Sequence, residues 1–99
     1  MTMPPAAEKL VADLKAAAGA ASQLEAAEPD ADRASLLVGI RDVADYAARV
    51  LVAFYGPDRR YTVQKAHGLR AAAGQVLNDA EVLDARTEVR PRPAGEPSP

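Results

Sequence analysis

The residues best suited to chemistry crowd into one stretch, DRRYTVQKAHGLR, residues 58–70. Arg59, Arg60, Lys65 and Arg70 stand there against a single acid, Asp58, and the one histidine of the chain, His67, lies among them. Cationic side chains hold phosphate oxygens, a tyrosine such as Tyr61 can stack on a base, and an imidazole can move a proton near neutral pH. A polyanion contact through Arg59, Arg60, Lys65, His67 and Arg70 is therefore one reading. Spacing and charge weigh against it. On a helix turning about 100° per residue these cations spread around the axis instead of lining one stripe. The chain is acidic overall, with a formal net charge of -2, so no chain-wide field draws it to nucleic acid or anionic membrane. The plainer reading is a solvated, cationic first turn of a helix, complementing acidic helix 1 or the acidic connector Glu28-Pro29-Asp30-Ala31-Asp32.

An arginine followed by a histidine near the start of a late helix resembles the arginine–histidine element of HEPN ribonucleases, here Arg60-Tyr-Thr-Val-Gln-Lys-Ala-His67. The resemblance implies His67 as acid or base and Arg60 on the phosphate. Tyr61 stands where that family usually has a polar residue, and the chain is short for the fold. A weak HEPN-like ribonuclease is thus kept only as an alternative. Helical proteins of similar length exported by type VII systems carry Trp-x-Gly at a hairpin turn and Tyr-x-x-x-Asp/Glu after the second helix. Here Trp is absent, the turn reads Phe54-Tyr55-Gly56-Pro57, and Tyr46, Tyr55 and Tyr61 are followed four residues on by Val50, Arg59 and Lys65. That resemblance fails.

Other chemistries lack their residues. Without cysteine there is no disulfide, thiolate metal site or thiol nucleophile. A lone histidine builds no metal site without converging carboxylates, and no His-Glu-x-x-His, paired Glu-x-x-His or Asp-rich loop is present. Gly68 and Gly74 follow no strand and so make no phosphate loop. No catalytic residue, metal or cofactor is assigned.

The elements that carry these residues are helical. The chain has 99 residues, 48% of them hydrophobic, but 23 are alanine and only four are aromatic (one Phe, three Tyr). Such a chain buries a thin core, which oligomerisation often supplements. Leu10, Leu14, Ala17, Ala21 and Leu24 step by 4 and 3, predicting a helix over 5–27 that opens on Pro4-Pro5. Pro29 breaks it, and Asp30 or Asp32 can cap a second helix over 31–55. Its row Leu36, Ile40, Val43, Ala47, Val50, Phe54 holds most of the bulky apolar residues, and Leu37, Ala44, Leu51 and Tyr55 form a second row beside it. A face this wide can touch two neighbours. Gly56-Pro57 stops the helix, a residue that accepts positive φ followed by one that cannot continue the ladder. A third helix over 59–86, capped by Asp58 or Thr62, carries Thr62, Ala66, Leu69, Ala73, Val76, Ala80 and Leu83. Residues 87–99 hold four of the eight prolines and no apolar period, which predicts a disordered tail on a single domain of residues 1–86.

The expected fold is all-α, an up-down-up three-helix bundle centred on helix 2. The alternative is a hairpin of helices 2 and 3 dimerising into a four-helix bundle, with helix 1 docked outside. On helix 3 an outer row of small residues runs from His67 through Ala71 and Gly74 to Asn78, and helix 2 leaves Val38, Tyr46 and Val52 off its main row. Small residues let another backbone approach closely. Together they suggest a protein-partner surface. The expected function is a non-enzymatic helical interaction protein, an adaptor, small regulator or structural subunit, homo-oligomeric or part of an assembly. The N-terminus MTMPPAAEKL has neither a basic nor an apolar signal region, and no apolar run is long enough to span a bilayer. A cytoplasmic location without membrane contact is expected.

Overall fold

Three α-helices make up the fold: α1 (Pro5–Ala27), α2 (Ala31–Tyr55) and α3 (Arg60–Glu88). They are seen in a computed structural model that describes residues 3–56 and 59–88. Proline opens α1 in its first turn, where the missing N–H leaves no bond unmade. The helix ends before Pro29. Glu28 is extended, at φ -85° and ψ 115°, as the proline ring after it requires. Asp30 then caps α2, its carboxylate accepting hydrogen bonds from the N–H groups of Asp32 and Arg33 at 2.9 and 3.0 Å. This satisfies two donors that have no partner inside the helix.

The ends around the second connector correct the sequence expectation. Gly56 does not use its freedom to take positive φ. It is extended, at φ -79° and ψ 173°, and the residue before a proline is driven to that conformation whatever its type. Thr62 does not cap α3. It lies inside the first turn, its N–H donating to the Arg59 carbonyl at 3.0 Å, while its hydroxyl is buried with no partner among the described residues. Asp58, the other expected cap, lies outside the described residues, as do residues 89–99 of the expected tail. Thr87 and Glu88, assigned to that tail, continue α3.

The three helices follow the expected up-down-up order with α2 at the centre. α2 touches both other helices, but α1 and α3 do not touch each other. The two short connectors make neighbours antiparallel, and the α2–α3 register is set by three pairs. Ser35 donates to the buried carboxylate of Asp79 at 3.1 Å. Gly39 lies against Val76, and Gly68 lies under the ring of Tyr46. At about 100° per residue, Ser35, Gly39 and Tyr46 share one side of α2. Ala44 and Ala48 lie on the opposite side and are buried, Ala48 to 1% exposure. They face α1, whose buried residues are Ala7, Val11 and Ala21.

The helices therefore form a layer one helix thick, with α2 in the middle. The closest approaches are made by Gly and Ala because nothing projects there to hold backbones apart. The bulky row Leu36–Phe54 falls between the two contacts instead of inside them. Among the described residues no large side chain is fully buried, and Ile40 and Phe54, members of the row expected to form the core, stay 44% and 45% exposed.

Direction also decides which cation meets the acidic connector. The basic stretch 58–70 was expected to complement it or helix 1. Because α3 runs back along α2, its first turns lie at the far end, and its last turn returns to the connector. Arg86 makes the contact, with Nη2 and Nη1 on the Asp30 carboxylate at 2.8 and 2.9 Å and Nη1 on Asp32 at 2.9 Å. This bidentate fork holds the Asp30 carboxyl well below the usual carboxylate range and raises Arg86 further; the Arg33 N–H lowers Asp30 as well.

Candidate functional site

The layer has two unlike sides. On one side α2 presents Asp45, Arg49 and Val52, and a cleft of about 650 Å³ runs across the helix between α1 and α3. Lys15 of α1 stands at one wall, Tyr61 and Lys65 of α3 at the other, with Ala48 at the floor. Arg49 pairs with Asp45 at 3.0 Å and lies 5.3 Å from the centre of the Tyr46 ring. Three cations face one carboxylate, so the cleft has the charge to receive a small anionic group. Lys15 was not singled out from sequence. It is 50 residues from Lys65, and only the shared packing on α2 brings them to one cleft.

The other residues of the basic stretch do not join Lys65. Arg59 stacks over the Phe54 ring at 5.4 Å. Arg60, His67 and Arg70 are exposed on α3. Arg60 and His67, seven residues apart, share the outward side of that helix, but they sit on open surface and not in the cleft. Among the described residues no group of three or more His, Asp or Glu is placed to hold a metal ion, and no helix is long and apolar enough to cross a membrane.

The residues expected to bind a partner fall on the outer and charged side. His67, Ala71, Gly74 and Asn78 are exposed, and a Cβ on Gly74 would meet nothing within 4 Å. Val52 is 48% exposed and lines the cleft; Val38 is half-buried. Tyr46 is committed within the molecule. Its ring fills the space a side chain at Gly68 would need, so Gly68 serves the α2–α3 contact and not an external partner.

The opposite side of the layer has an apolar centre, flanked by exposed Asp13, Arg33, Arg70 and Asp84. On α2 it carries Leu36, Ile40, Ala47 and Phe54. Helical spacing in antiparallel neighbours brings Leu10, Ala17 and Leu24 of α1 and Ala66, Ala73 and Leu77 of α3 to the same side. Leu10, Leu24 and Leu77 are 47%, 60% and 62% exposed. Sequence periodicity found most of these rows and read them as core. Whether a row is covered depends on where the neighbouring helices sit, which a period does not contain.

No protein-family model, curated protein or solved structure matches this chain.

Proposed function

We propose that this chain is a non-enzymatic helical interaction protein, an adaptor, small regulator or structural subunit of an assembly, and that it binds protein through the apolar side of its layer. The observation that carries this reading is the uncovered row of α2: Ile40 and Phe54 remain 44% and 45% exposed at the middle and end of the central helix. A domain normally closes its core between two packed layers, and this fold supplies one. The outer row His67–Asn78 offers small side chains and little apolar area, so it is the weaker surface.

Affinity purification of the tagged full chain tests the reading. A defined protein, either another polypeptide or an untagged copy of this one, should co-purify in stoichiometric amount and be lost with the Ile40→Glu, Phe54→Glu double variant. A folded monomer that retains nothing overturns it.

One observation favours a second reading, a polyanion contact: the cleft places Lys15, Lys65 and Tyr61 around a common space. Binding of this kind weakens steeply with salt. A salt-titrated mobility shift with single-stranded RNA and DNA, compared with Lys15→Ala, Lys65→Ala, decides it, and no shift at low salt removes it. If binding is seen, His67→Ala separates cleavage from contact.

A further inference from the structure

We infer that the occupant of the apolar side is a second copy of this chain, stacked face to face so that two three-helix layers enclose one core. This rests on the interaction reading above and goes further by naming the partner.

Area is the first argument. Leu10, Leu24, Ile40, Phe54 and Leu77 leave between 44% and 62% of their surface exposed. With the low end of the roughly 150–250 Å² that an aromatic side chain buries as an upper guide for leucine and isoleucine, these five expose at most on the order of 400 Å². The exposed alanines between them and the half-buried Leu36 and Val43 bring the face toward the roughly 800 Å² that one side of a standard interface buries. The face is therefore large enough for a stable dimer with a partner of equal size.

Charge is the second argument. A two-fold contact places the same patch on both sides, so the patch must be complementary to itself. A strongly charged patch of one sign repels its own copy. The row Leu36–Ile40–Val43–Ala47–Val50–Phe54 contains no charged residue, while the same helical spacing sets Arg33 seven residues before Ile40, Asp13 three after Leu10, and Arg70 and Asp84 seven to either side of Leu77; an apolar centre rimmed by charges of both signs can meet its own copy. The opposite side, with Lys15, Asp45, Arg49 and Lys65, does not present such a face.

The alternative of a hairpin dimer with helix 1 outside leaves Leu10 and Leu24 unexplained, whereas stacked layers use all three helices.

The oligomeric state of the purified full chain is the test. Light scattering and sedimentation across low to high micromolar concentration should give twice the 10.4 kDa chain mass. Ile40→Glu should weaken the dimer about tenfold or more, as expected for a central anchor. Val52→Glu, at a residue equally exposed on the charged side, should leave it unchanged. Circular dichroism at the same concentrations checks that both variants stay helical. Because the chain lacks cysteine, spin labels on Ile40→Cys and Val52→Cys give a second measurement, made on samples whose mass shows that the labelled chain is still dimeric. The label at 40 should report a shorter distance between copies than the label at 52.

A folded wild-type monomer at all concentrations overturns the inference. So does a dimer that Val52→Glu breaks and Ile40→Glu does not. If the pure chain is monomeric but a different protein co-purifies through Ile40 and Phe54, the inference falls while the interaction reading stands.

Discussion

Glycine acts in opposite ways at two positions. A Cβ on Gly39 would lie 2.8 Å from Cγ2 of Val76, and valine is stiff about χ1 in a helix, so it yields only if the helices separate. Gly39→Ala should therefore cost about 1–3 kcal/mol, the range for overpacking. A Cβ on Gly19 would meet nothing within 4 Å. Gly19→Ala should stabilise by about 0.5–1 kcal/mol, the cost of glycine inside a helix. Thermal melts of the two variants check both signs. Sequence alone cannot separate Gly19 from Gly39, since the difference lies in what stands opposite.

Asp30 carries a pH signature. Its carboxyl is held below the usual range chiefly by the hydrogen bond from Arg86 and next by the Arg33 N–H. A carboxyl depressed in the fold favours the fold above its unfolded pKa, about 3.9, and that contribution fades as pH falls through the folded value. Asparagine also caps helices well, so Asp30→Asn removes the ion pair while keeping the cap. The variant should melt below wild type at pH 7, and the gap should narrow from about pH 4 downward. A gap that stays constant down to pH 2 contradicts the assignment.

At the scale of the helix, small residues decide how close the elements come. Ala48 is 1% exposed where α2 meets α1. Ala48→Leu should push α1 away and cost about 1–3 kcal/mol, with hydrogen exchange rising in α1 before α3, because Ala48 lies in the α1–α2 contact and α3 is held by a separate contact on the other side of α2. The existence and bounds of α1 and α2 were legible from the 4, 3 stepping and from prolines 29 and 57. The end of α3 was less so. Arg86 anchors its last turn to Asp30 and Asp32, and ion pairs across 54 and 56 residues leave no trace in local composition. The buried Asp79 was not anticipated either. It accepts from Ser35 and Gln75 at 3.1 Å each, and this partnering explains why a carboxylate is tolerated inside the α2–α3 contact.

For the whole molecule, a layer with an uncovered apolar side is half of an ordinary two-layer core. Association that favours the folded state makes melting depend on concentration. The melting temperature of the wild-type chain should rise with protein concentration, and that of Ile40→Glu should begin to rise only at concentrations at least about tenfold higher. A melting temperature independent of concentration in both would contradict self-association.

By itself the sequence determined that the chain is helical, where two of its three helices begin and end, and which rows are apolar, because period, proline and capping chemistry are local. The tertiary structure decided what those rows do. Gly39, Gly68 and the alanines of α1 and α2 draw α1 and α3 onto opposite sides of the central helix, which leaves Ile40 and Phe54 between them in the open and gathers Lys15 and Lys65 at one cleft. These outcomes depend on where each helix sits around its neighbour, and that is fixed by which side chains meet across the contact and not by the order in which they occur.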